Sequence, residues 1–170
     1  MSARPDPSEY APYFGKYIAL VPGDDILGAF ESETAATLAL LGNITEQQSL
    51  YRYATGKWSI GETIVHIADT ERVFAYRALR FARADAAELG SFEPDDYVVP
   101  SGADSRSWRS IVDEYVAVRQ ATVALFRNLP FDAWARTGVG GGNRMSVRAL
   151  AYNILGHDIH HRNVLRERYL

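Results

Sequence analysis

"MSVRALAYNILGHDIHHRNVLRERY" fills residues 145–169 and holds three of the four histidines in the chain. At 100° per residue, Val147, Ile154 and Leu165 fall within about 20° of one line, and Leu150 lies about 60° to one side. That apolar stripe, opened by Ser146 as an N-cap, predicts an amphipathic helix to about Arg168. His161 sits about 40° from the stripe on the Leu150 side, His157 about 80°, and His160 about 140°, facing outward. His157 and His161 therefore share a partly buried edge at i, i+4. A helix uses that spacing to offer two imidazoles to one cation, and the same spacing also arises by accident on a polar flank.

Working outward, the rest of the chain divides by its caps and breakers. Residues 1–23 read as an extended N-terminal arm, because Pro5, Pro7, Pro12 and Pro22 oppose helix; Tyr10, Tyr13, Phe14 and Tyr17 can pin it to the body. Residues 24–170 form one domain, a usual size for this length. Asp24 or Asp25 caps a first helix that ends at Gly42 and Asn43. Thr45 and Gln48 make a capping box for a short turn, and Ser59 with Glu62 makes a stronger one. The second box opens a second helix over about 60–84, with Ile60, Ile64, Ile67, Phe74, Ala78 and Phe81 on its inner face. Gly90, Pro94, Pro100 and Gly102 mark a long loop over about 85–102. A third helix follows over about 105–129, with Trp108, Ile111, Tyr115, Val118, Thr122 and Phe126 inward. Residues 130–145 read as a flexible connection, and its glycines (Gly138, Gly140 to Gly142) lack a P-loop lysine. Four long amphipathic helices and no strand pattern predict an all-α four-helix bundle.

The order of those helices follows from their loops and from histidine levels. His66 lies about seven residues into the second helix, and His161 about seven residues before the end of the last. Antiparallel packing of these two helices brings both residues to one level, at 1.5 Å rise per residue. The long loop before the third helix permits a crossover, so that the second and third helices run together and the last runs against both. The expected topology is up-down-down-up. His66 then flanks the core about 120° from the centre of its apolar face, beside Thr63, Thr70 and Val73.

Composition narrows the function. A net charge of −3, with no basic stripe, gives no electrostatic reason to expect nucleic acid. There is no polybasic membrane signal and no run long enough to span a bilayer. The absence of cysteine excludes disulfides, thiolate-bound zinc and a cysteine nucleophile. With no apolar signal core near the N-terminus, a cytoplasmic location is expected.

"KWSIGETIVHIADTERVFAYRALR" (57–80), "FEPDDYV" (92–98) and the 145–169 block resemble the DinB-like superfamily, especially its metal-dependent hydrolase branch. The resemblance covers most of residues 24–169. It implies a four-helix bundle with an unusual crossover and three histidine ligands, one from the second helix and two from an H-x-x-x-H on the last. Those positions are His66, His157 and His161 here. It also implies hydrolysis, or transfer of low-molecular-weight thiols such as bacillithiol or mycothiol, acting on small molecules. A homodimer is expected from the resemblance together with the surface aromatics.

Three neutral imidazoles leave a coordination vertex open, as at catalytic rather than structural zinc. Zinc is the default cation, with nickel, manganese or iron acceptable to the same donors. Water or a thiol cosubstrate can take the open vertex. Glu71 and Asp158 fall on inner faces, about 20° from the centre of their stripes, and a buried carboxylate needs a partner. Each reads either as a group orienting a ligand or acting as a general base, or as half of an ion pair with Arg148, Arg72 or Arg77; the ion pair is preferred. The contrasting reading is a non-catalytic, metal-binding or stress-associated interaction bundle, which would show a fourth protein ligand at the open vertex or no metal at all.

Overall fold

The computed structural model describes residues 3–170. Its four long helices begin where short polar side chains capture free amide groups. α1 (Gly15–Ile18) is a single turn. α2 (Ile26–Leu41) starts at Asp25, which accepts from the Gly28 amide at 3.3 Å. α3 (Glu46–Ser49) carries the Thr45–Gln48 box. α4 (Ile60–Ala82) opens on the reciprocal Ser59–Glu62 box, with bonds of 3.0 and 2.8 Å. α5 (Pro94–Val98) and short 3-10 turns at Val99–Ser101 and Ala103–Ser105 punctuate the crossover. α6 (Trp108–Arg127) is capped by Ser107, and α7 (Val147–Val164) by Ser146, before a final π-turn at Leu165–Tyr169.

Cross-helix pairs fix the directions. Glu31 meets Arg127 and the Leu41 carbonyl accepts from Trp108, so α2 and α6 are antiparallel. Gly61 lies beside Ile111 and Glu71 beside Arg119, so α4 and α6 are parallel. Tyr169 reaches the Trp58 carbonyl while Arg136 reaches that of Ala82, so α7 opposes α4. Hence α2 and α7 run one way and α4 and α6 the other, the up-down-down-up order expected from the loops.

The apolar core is in two parts. One gathers Phe30, Phe126, Leu150, Tyr152 and Leu155; the other gathers Leu41, Ile64, Ile111, Tyr115 and Leu165. No helix among the described residues is long and apolar enough to cross a membrane.

Two regions differ from expectation. The connection over 130–145 is not merely flexible: it holds a 3-10 turn (Phe131–Ala135) and a hairpin, β1 (Thr137–Gly140) paired antiparallel with β2 (Asn143–Ser146). Gly141 and Gly142 both take positive φ, the two-residue turn that suits the twist of a hairpin. Gly138 and Gly140 let its first strand lie directly on Phe81 and Arg77 of α4. The N-terminal segment is also not extended. Pro7 and Pro12 stand at the first position of 3-10 turns, where a missing N–H costs nothing, and α1 follows. Phe14, Ile18 and Val21 bury themselves in the core.

That segment seats against α7 at Gly156, where a methyl group would overlap the carbonyl of Tyr17. Helix propensity alone would make Gly156→Ala stabilising. Overlap with a backbone group that cannot swing away reverses the sign, and we expect a loss of about 1–3 kcal/mol. Equilibrium denaturation of the variant measures it; a rise in stability would mean the segment does not dock there.

Candidate metal centre

His66 comes from the second turn of α4, and His157 and His161 from successive turns of α7. Antiparallel packing brings the three rings together as the level argument expected. The Nε2 of His157 lies 3.1 Å from that of His66 and 3.0 Å from that of His161. The three side chains form a group able to hold a metal ion. A tetrahedral cation with bonds near 2.0–2.1 Å would spread such nitrogens to about 3.3 Å, a few tenths beyond the observed separations. The donor set and its geometry both fit a divalent transition metal.

The electrostatics favour neutral imidazoles. Burial pulls the pKa of His66 from 6.5 down to about 4. His157 and His161 are held well below the ordinary value, first by burial and then by the charge of neighbouring histidines. A cation entering here has no proton to displace at neutral pH. Thr70, one turn beyond His66, places its hydroxyl 3.4 Å from Nδ1 of that ring and can orient it. The Trp58 ring lies 4.7 Å from that of His66, and Tyr17 sets its edge against His157 and His160. His160, read as outward-facing, is half-buried because Tyr17 covers it, and it lines the cavity rim.

The histidines stand at one end of a cavity of about 490 Å³ between α4, α7, the N-terminal segment and the crossover. Among the described residues, no carboxylate completes the cluster. A cation held by the three imidazoles would have the cavity, and no further His, Cys, Asp or Glu donor among the described residues, on its remaining side.

Glu71 and Asp158 are buried as expected, but they lie outside the cavity lining and neither pairs with Arg148, Arg72 or Arg77. Both bind Arg119 of α6. Its guanidinium grips Glu71 at 2.8–3.1 Å and donates to Asp158 at 3.0 Å. Tyr115 donates to Asp158 at 2.8 Å, and Thr34 accepts from Arg119 at 3.0 Å. Burial alone would lower the Arg119 pKa, but Glu71 and Asp158 more than reverse that and raise it. Arg148, Arg72 and Arg77 are engaged elsewhere, by Glu9, by Glu114 and Asp69, and by the Gly90 carbonyl. The sequence carried a signal for Arg119: it shares the Tyr115, Thr122, Phe126 face at i, i+4, i+7, i+11, where a lone arginine demands acids. Tyr17, Arg77 and Asn153 also line the cavity. The last two could have been found by continuing from the histidines, since Arg77 follows His66 and Thr70 along one face and Asn153 precedes His157 by four.

No curated protein matches this chain significantly. A sequence model of the DinB superfamily matches residues 29–165. Among solved structures, the chain is similar to YfiT from Bacillus subtilis, described as a probable metal-dependent hydrolase with an unusual four-helix bundle topology. The TM-score is 0.68 at 14% identity, over 98% of this chain and 91% of that one, a likeness of fold. The family model covers nearly all of the four long helices, and on that match the chain belongs to the DinB superfamily.

Proposed function

We propose that this protein is a metal-dependent hydrolase of small molecules, with His66, His157 and His161 as the ligands of one divalent cation, zinc by default. The observation that carries the reading is the convergence of three Nε2 atoms on a cavity-facing vertex that no carboxylate closes. The description of YfiT supports it. A cation held there supplies Lewis acidity toward a carbonyl or phosphoryl oxygen and makes water more acidic. The chain's own part is to hold the three rings neutral, orient His66 through Thr70, and exclude bulk water with Tyr17 and Trp58. In this reading Glu71 and Asp158 act as the two acids of a helix-tying ion pair rather than in the chemistry.

A second reading, transfer of a low-molecular-weight thiol, uses the same three histidines and the same cavity of about 490 Å³. The test is elemental analysis of gently purified protein, followed by ester, amide and phosphoester panels with and without added bacillithiol or mycothiol. About one equivalent of metal and thiol-independent hydrolysis is expected. Turnover only with thiol selects the transferase; a metal-free protein without activity overturns both and leaves the non-catalytic bundle. We further propose a homodimer, formed over the apolar groove between α4 and α6 where Tyr76 and Leu79 are exposed, to be checked by light scattering.

The depressed histidine pKa values predict acid lability of the metal-free protein. The unfolded chain takes up protons at its histidines near pH 6.5, whereas folded His66 resists until about pH 4. Stability is therefore full above pH 6.5 and falls as pH drops through that window, by roughly 3 kcal/mol for His66 alone. Denaturation of chelator-treated protein at pH 7.5 and pH 4.5 measures the loss. Bound metal should oppose it down to the pH at which protons displace the cation.

A further inference from the structure

At the end of the cavity away from the histidines lies a second polar constellation that the metal chemistry does not use. Arg77 follows His66, Thr70 and Phe74 at i, i+4, i+8, i+11, so the four share one face of α4 and form one wall of the cavity. The guanidinium is built in. Its stem runs beneath Gly140, whose missing side chain makes room at 2.7 Å from Nε. Its central carbon stands 5.1 Å over the Phe74 ring, and Nη2 donates to the Gly90 carbonyl at 2.9 Å. The residue is 7% exposed, yet among the described residues no carboxylate pairs with it. Arg119 and Arg162, the other deeply buried arginines, each have acidic partners. A buried cation without a counter-ion is costly unless something supplies the anion.

The opposite wall carries an independent sign. Asn153 on α7, one turn before His157, is 2% exposed and lines the same cavity. Its Oδ1 is buried with no hydrogen-bond partner. Because α7 opposes α4, the row Asn153, His157, His161 runs antiparallel to the row His66, Thr70, Phe74, Arg77. Asn153 thus lies between the histidine end and the arginine end.

We infer that Arg77 binds the carboxylate of an extended small-molecule substrate whose reacting group lies at the histidines and whose middle carries a hydrogen-bonding amide that meets Asn153. The inference rests on the metal-site reading for what happens at one end and supplies the substrate class. The planar guanidinium fork matches a carboxylate. Glu93 and Asp95 at the cavity rim, both exposed, oppose a doubly charged phosphate more than a monoanion. The span is set by the helix: eleven residues separate His66 from Arg77, about 16 Å along the axis, and the guanidinium's place over the Phe74 ring, three residues nearer His66, shortens this to roughly 12 Å.

The probes are hippurate, a carboxylate of suitable length with a central amide, its neutral amide hippuramide, and inorganic phosphate. Binding is followed by Trp58 fluorescence and calorimetry, on zinc-loaded and chelator-treated full-length protein, with metal content measured on every sample. Hippurate is expected to bind wild type at least tenfold more tightly than hippuramide and more tightly than phosphate. Arg77→Gln should remove that preference while metal content is unchanged. Arg77→Lys, which keeps the charge and most of the stem, should retain part of it, and Asn153→Ala should weaken hippurate and hippuramide alike. The preference should persist without metal, so a failure of the three-histidine reading appears as missing metal, and a failure of this one as missing carboxylate preference. Equal binding of hippurate and hippuramide to wild type, a comparison that needs no variant, would overturn the inference. So would phosphate binding more tightly than hippurate, or an Arg77→Gln protein that binds hippurate as wild type does.

Discussion

Arg119→Met should destabilise the protein by about 3–5 kcal/mol, the cost of leaving buried carboxylates without their cation. Arg119 is 2% exposed, Glu71 3% and Asp158 fully buried, and this polar group lies between the two halves of the apolar core. The guanidinium makes four bonds to the two acids, so one truncation orphans both. At this chain length each kcal/mol moves the melting temperature by about 2–4 °C, so a fall on the order of 10 °C is expected by calorimetry. Replacing all three charges together with apolar residues of similar volume should recover most of the loss, because the desolvation cost disappears with the pair. Metal content should be unchanged in both variants, since Arg119 touches none of the three histidines. Loss of metal with little loss of stability would instead move Glu71 and Asp158 back toward the site's chemistry.

His157→Ala should abolish metal binding. His157 is the hub of the cluster, its Nε2 near both other Nε2 atoms, and the remaining two rings cannot enclose a cation. Disturbing only the groups that orient ligands at metal sites costs about 10–100-fold in affinity, so loss of the central ligand should exceed that. Competition against a chelator of known affinity measures the change. The same substitution carries a second signature. His157 has its pKa held far down, so its removal should reduce the acid-induced loss of stability in the metal-free protein, leaving the share that His66 and His161 supply. A variant with the metal content and the full acid lability of wild type would show that the rings are polar packing.

The helices, their caps and the histidine convergence are legible in the amino-acid sequence, and for one reason: each depends on local rules. The Ser59–Glu62 and Ser146 caps act within a single turn, and the 100° rotation per residue fixes which side chains share an edge. Level matching of His66 with His161 needs only the rise per residue and a long loop before the third helix. By itself, then, the sequence determined four amphipathic helices, their crossed order and three rings at one level. Tertiary structure alone decided how neighbouring helices rotate about their axes and what docks on them. That rotation gave Glu71 and Asp158 to Arg119 rather than to the arginines of their own helices. It left Gly156 as a seat for the Tyr17 backbone and folded the Gly141–Gly142 turn over α4, covering Arg77. Such choices are made between elements distant along the chain, where packing and the demand of buried charge for a partner outweigh any local preference.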